Sequence, residues 1–216
     1  MVGFARSGGG ACGVAHIGVR RALAEKGIEP DVLSGTSAGA IVATWYSAGL
    51  SIAQMLDIVA ESSLFKAFKI VIPNKGLTSL NYLKERLAKF IAKDDFDILQ
   101  KPTYIAISNL NKGQLEFRNE GPLFDVVTAS SSIPLIFKPV EIDGEIYVDG
   151  GVFCNLPVEP IKAEVDYVIG VDVMPAVEWV SYHTFQFNKY KELEELGYQA
   201  ALGTMDKILD DLEKLP

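Results

Sequence analysis

The hydrophobic and polar positions of this chain change period repeatedly, and the changes mark its elements. Val2 to Arg6 is a short apolar run, after which Val14, Ile17, Ala22 and Leu23 recur at helical spacing. Arg20, Arg21, Glu25 and Lys26 occupy the other side of that helix, and Gly27 stops it. Pro30 and Asp31 lead into a second apolar run, Val32-Leu33-Ser34. A helix pattern through Ala40, Ile41, Val42 and Trp45 then extends to about Ala48. Ser51 caps a helix carrying Met55, Leu56, Ile58 and Val59, and Thr78 or Ser79 caps another through Tyr82, Leu83, Leu87 and Phe90. Thr103 to Ser108 and Gln114 to Arg118 read as strands joined by the turn Asn111-Lys112-Gly113. Phe124 to Ser132 is a short helix ending before Pro134. Glu141-Ile142 and Ile146 to Val148 flank Asp143-Gly144, a hairpin signal. Val165 to Val173 reads as a further buried strand. Tyr190 to Leu215 is a long amphipathic helix with Leu193, Leu196, Ala200, Ile208 and Leu212 on its core-facing side.

Strands alternating with helices, ahead of a hairpin, predict a single α/β domain over residues 1–216. Its expected architecture is a three-layer α/β/α arrangement around a mainly parallel central sheet. Apolar residues make up 49% and charged residues 22%, a globular rather than a disordered composition. The formal net charge of −8 argues against nucleic acid as a partner, because no basic stripe meets a phosphate backbone. Any membrane contact must be local for the same reason. Cys12 and Cys154 cannot form a disulfide framework and neither sits in a metal-type cluster, which best fits a reducing compartment; no cofactor is expected. The first residues carry no basic leader, and no apolar run approaches the roughly 18 residues that span a bilayer. These features predict a cytoplasmic protein, peripheral at most to a membrane, and none of them fixes an oligomeric state.

The second apolar run stops at Gly35-Thr36-Ser37-Ala38-Gly39, a Gly-x-Ser-x-Gly between a strand and a helix. That context suits a nucleophile elbow, which strains the serine and exposes its hydroxyl beside the positive end of the following helix. Taken alone, the pentapeptide serves equally well as a turn whose serine caps a helix. The first apolar run enters Ser7-Gly8-Gly9-Gly10-Ala11-Cys12-Gly13, which also fits Gly-x-Gly-x-x-Gly. A dinucleotide site would need its ribose-binding carboxylate at the end of the second strand, whereas Asp31 precedes that strand and the elbow ends it. The other use of such a loop is an oxyanion hole, with backbone N–H groups converging on one concavity. The serine also needs a base. His16 lies within the first helix, where a packed side chain is the commoner role, and His183 lies in an unpatterned stretch from Trp179 to Phe187. Asp149, at the end of an apolar strand and followed by Gly150 and Gly151, is the better candidate if burial tunes its pKa upward.

Gly8 to Gly13, Gly35 to Gly39 and Asp149-Gly150-Gly151, in this order, resemble the patatin-like phospholipase family from about Val2 to about Val173. Ala129-Ser130-Ser131-Ser132-Ile133-Pro134 resembles its bacterial members in wording. The resemblance implies a patatin-like fold and a serine–aspartate dyad, with Ser37 as nucleophile and Asp149 as base. It implies an oxyanion hole from the amides of Gly9, Gly10 and Ala11, joined by Ala38. The implied reaction is hydrolysis of acyl esters in phospholipids, lysophospholipids or neutral lipids, without a metal. The family's glycine loop usually carries Arg or Lys where this chain has Cys12, which implies either a weaker positive potential and a lower rate or a loop held another way. Leu64 to Ile72, with interleaved Lys66 and Lys69, suits either a lipid-facing lid or a core helix. Phe65, Phe68, Leu135, Ile136 and Phe137 are expected to line an acyl channel. Two rivals share these motifs: an acyltransferase using the same serine, and a catalytically weak lipid-binding module.

Overall fold

The computed structural model describes residues 1–61, 79–174 and 187–215. Leu64 to Ile72, Phe65, Phe68, Thr78 and His183 lie outside the described residues. Strand β1 (Val2–Arg6) leads through the glycine loop and a 3-10 turn, Gly10–Val14, into α1 (Ala15–Glu25). Strand β2 (Val32–Gly35) is followed by α2 (Ala38–Ser47), α3 (Ile52–Glu61) and α4 (Asn81–Phe90). Strands β3 (Thr103–Asn109) and β4 (Gln114–Arg118) precede α5 (Leu123–Ser130) and the hairpin β5 (Val140–Ile142) and β6 (Glu145–Asp149). Strand β7 (Tyr167–Val171) and helix α6 (Tyr190–Glu213) follow. Ser51 and Gln54 exchange reciprocal side-chain-to-backbone bonds at the start of α3, the capping box that its sequence encodes. At the β5–β6 turn Asp143 and Gly144 both take positive φ, as a two-residue hairpin loop demands.

The fold is α/β, a seven-stranded sheet among the described residues, flanked by helices. Strands β3, β2, β1 and β7 run parallel side by side, while β4 and the β5–β6 hairpin join antiparallel. Along β3, β2 pairs with Thr103 to Ile105 and β6 with Ile107 to Asn109. Strand β4 covers Ile105 to Asn109, so β2 and β6 must share the opposite edge. They run in opposite directions and therefore meet there carboxyl end to carboxyl end. This brings the segments after Gly35 and at Asp149 together from distant parts of the chain.

The main core lies between the sheet and the helices, with Phe4, Leu33, Ile105 and Ile107 facing Ile17, Val42, Val127 and Leu193. The other face of β1 and β2 is sealed by residues from 156 to 165, with Ile161 packed on Ala5 and Val32. Helix α6 buries Leu193 and packs Ile208 and Leu212 against the core as expected, but between them it buries Gly197, Ala201 and Met205, while Leu196 and Ala200 are exposed. The cause is a close crossing with α1. A Cβ on Gly18 would run into Glu194 O, and one on Gly197 into Ala15 O, so backbone meets backbone where larger side chains were expected.

Candidate active site

The turn between β2 and α2 holds Ser37 at φ 53 and ψ −121, a conformation that costs a non-glycine residue about 1–3 kcal/mol. The surrounding backbone enforces it. Thr36 N–H donates to Arg6 O at 3.1 Å, and Gly39 N–H donates back to Thr36 O at 2.8 Å. Gly39 lies so close to β1 that a Cβ would stand 2.5 Å from both Arg6 O and Ser7 O. The motif glycine is thus fixed by the approach of the neighbouring strand. Ser37 N–H donates to Ser130 Oγ at 2.8 Å, and that hydroxyl donates to Ala106 O at 2.7 Å. Helix α5 and strand β3 therefore clamp the elbow from behind.

Asp149 ends β6 on the facing side. Its N–H donates to Ser132 O at 3.0 Å, and its carbonyl accepts from Ser108 Oγ at 2.9 Å, so its backbone is held at both ends. Its Oδ1 accepts the Gly151 N–H at 2.7 Å. Burial pushes the carboxyl up to about 6, opposed by the Ser37 hydroxyl and the Gly151 N–H, which both favour its charged form. A carboxylate near 6 is poised to take a proton at neutral pH, and an ordinary surface aspartate is not.

A cleft of about 280 Å³ brings Ser37 and Asp149 together with Gly8, Gly9, Gly10, Gly151 and Asn155. Gly8 N–H is already donated to Asn155 O and Cys12 N–H to Gly9 O, which fixes the loop's two ends. Of the residues expected around an oxyanion, Gly9 and Gly10 line this cleft. Ala11 is fully buried and does not. Ala38 lines a second, apolar slot of about 60 Å³ with Ser37, Gly10, Gly13, Ile41, Trp45 and Ile133. Among the described residues expected to line an acyl channel, none borders this slot: Phe137 is buried elsewhere in the core, and Leu135 points out at 92% exposure. The chain turns outward at Leu135, where φ is 69. Gly13 packs against Ala38, Gly35 against the Gly39–Ala40 backbone and Gly150 against Ala106 O, so these glycines close the turns around the cleft.

His16 is fully buried, with Nε2 against Ser7 O at 2.8 Å, and burial together with the Arg6 guanidinium pushes its pKa down to about 3. It is a neutral strut under the glycine loop. Cys12 is buried and its thiol pKa is raised, so it supplies no charge to that loop. Asp31 bonds Val2 N–H at 2.7 Å, at the amino end of β1 and away from the glycine loop, which removes the ribose-binding carboxylate from a nucleotide reading. Asn155 escaped a reading by motif, and Ser130, though within the Ala129–Pro134 stretch, was given no role by it. Asn155 follows Asp149 closely in the chain, a spacing signal in itself, whereas Ser130 acts only across the fold.

The patatin-like phospholipase family model matches residues 5–162. This chain belongs to that family. The match covers the glycine loop, the Ser37 elbow and the Asp149 turn, and the family is one of hydrolases. The chain is 28% identical to a lysophospholipase (nte1) of Neurospora crassa over 183 residues, which is 82% of this chain and 12% of that protein. It is 29% identical to a lysophospholipase of Coccidioides immitis, over 82% of this chain and 11% of that one. It thus spans about an eighth of the length of these relatives. A crystal structure of VipD from Legionella pneumophila aligns over 72% of this chain and 46% of that one, at 20% identity and a TM-score of 0.48. Among the described residues no helix is long and apolar enough to cross a membrane.

Proposed function

We propose that this chain hydrolyses acyl esters of lipids, phospholipids or lysophospholipids among them, at a membrane or micelle surface, with Ser37 as nucleophile and Asp149 as its base. The observation that carries the reading is the strained Ser37 beside a buried carboxyl whose pKa stands at about 6. The lysophospholipase names of the relatives support the substrate class, and family membership supports the reaction.

Asp149 takes the Ser37 proton as Oγ bonds to the ester carbonyl carbon. Negative charge moves to the carbonyl oxygen, facing the backbone N–H groups of Gly9 and Gly10 and the amino end of α2 at Ala38. One such donor is worth about 3–4 kcal/mol at the transition state. When the tetrahedral carbon collapses, the C–O bond to the alcohol breaks and protonated Asp149 returns the proton to the leaving oxygen. The acyl group remains on Ser37. Water then attacks that carbonyl as Asp149 takes its proton, and collapse restores the serine hydroxyl and releases the acid.

Labelling with a fluorophosphonate, read by intact mass, tests the nucleophile. A single adduct is expected on the native protein and none on Ser37→Ala. Asp149→Asn should lower the labelling rate and ester turnover about 10²–10⁴-fold while keeping the fold. An adduct that persists in folded Ser37→Ala removes the serine from its role.

A further inference from the structure

The apolar slot runs along one face of α2: Ser37, Ala38, Ile41, Val42 and Trp45 all border it. Their spacing is that of a single helix stripe, so the α2 wall of the slot runs from the nucleophile to Trp45 two turns further on, and Val14, Ile17, Val59, Leu80 and Leu83 line its other sides. Eight residues of helix rise separate those ends, about 12 Å. An extended carbon chain advances about 1.2 Å per bond, as an extended backbone does, so the distance matches about ten bonds. Trp45 is 3% exposed and is the bulkiest side chain bordering the slot.

We propose that this slot is the acyl-chain subsite and that the Trp45 indole is its floor, making Trp45 the residue that gauges chain length. The inference rests on the acyl-hydrolase reading of Ser37. Two spaces open at the serine, and they differ in character. The cleft side is edged by Ile133, Pro134, Val152 and Met174, but it alone carries Asp149 and Asn155, which suit the ester's polar atoms and the leaving alcohol. The slot side carries aliphatic and aromatic side chains and offers an acyl tail a water-free path. Chains of about eight to ten carbons fill the slot, and longer ones collide with the indole.

The test is a series of soluble monoacyl esters of rising chain length, read as kcat/KM on the full chain. Wild type should rise to about ten carbons and then fall. Trp45→Ala removes the floor and should raise the ratio of long-chain to medium-chain kcat/KM by about tenfold or more, the scale on which a hydrophobic pocket distinguishes single methylenes. Ile41→Trp blocks the slot one turn from the serine and should move the optimum to shorter chains. If Trp45→Ala fails to fold, by circular dichroism and thermal melting, Ile41→Trp decides alone. Profiles in the folded variants that match wild type overturn the gauge. A short-chain fluorophosphonate on the wild type separates the two levels. Its adduct together with unchanged profiles sinks the subsite alone, whereas no adduct and no turnover sink the acyl-hydrolase reading beneath it.

Discussion

Asp149 is held between burial, which favours its neutral acid, and the Ser37 hydroxyl and Gly151 N–H, which favour its anion. Burial wins, and the carboxyl moves from 3.8 to about 6. As a base the group must be ionised, so kcat/KM should be flat above about pH 7 and fall tenfold per pH unit below about 6. A pH–rate profile checks this, and a limb centred near 4 would place the essential base elsewhere. The same shift carries a stability cost. Ionisation of Asp149 is harder in the folded protein than in the unfolded chain, so its contribution declines as pH rises from about 4 through 6. Asp149→Asn should therefore be more stable than wild type at pH 8 by about 3 kcal/mol, with the gain vanishing below about pH 4. Denaturant midpoints at the two pH values measure it. An inactive variant that is also more stable is what a strained functional group predicts, and a structural aspartate would give the opposite result.

At the scale of elements, the tightest packing is the α1–α6 crossing at Gly18 and Gly197. Gly18→Ala adds a better helix former, worth about 1 kcal/mol in a free helix, yet it drives a methyl group into the Glu194 carbonyl. Overpacking of this kind should win and destabilise by about 1–3 kcal/mol. Gly203, on the same α6, has nothing within 4 Å of where its Cβ would stand, so Gly203→Ala should stabilise by about 0.5–1 kcal/mol. Thermal melts of the pair, opposite in sign, test the crossing. It also explains why Leu196 and Ala200 were misplaced while Leu193, Ile208 and Leu212 were not: hydrophobic period locates a helix but does not reveal where two backbones touch. The strands and helices from β1 to α2 were legible because period and turn chemistry are local signals. The Gly35–Gly39 and Asp149–Gly151 turns were legible for the same reason, since each is written in consecutive residues. Their meeting was not, because it depends on β2 and β6 sharing one edge of β3. Ser130 likewise acts by bonding the Ser37 amide across the fold, a role that its own neighbours in sequence do not encode.

For the whole molecule, two buried groups give pH opposite effects on stability. His16, held neutral by burial and by Arg6, has a folded pKa of about 3 against 6.5 when free. Its contribution is present above about pH 6.5 and is lost as pH falls towards 3, because the unfolded chain takes up the proton first. Between pH 7.5 and 5 that loss is about 2 kcal/mol. Asp149 works the other way and returns about 1.5 kcal/mol over the same interval, because its folded form binds the proton more tightly. Wild type should therefore change by only about 0.5 kcal/mol from these two groups, while its activity falls about tenfold as most of Asp149 protonates. Acid inactivation at pH 5 is then loss of the base in an intact fold, reversible on returning to pH 7.5. Single substitutions separate the opposed effects. Asp149→Asn leaves His16 unopposed and should lose about 2 kcal/mol between pH 7.5 and 5. His16→Gln, which keeps a side-chain donor for Ser7 O without titrating, should instead gain about 1.5 kcal/mol. Urea midpoints of the three proteins at both pH values decide the matter. Three parallel declines would mean that charges elsewhere in this acidic chain, and not Asp149 and His16, govern its stability.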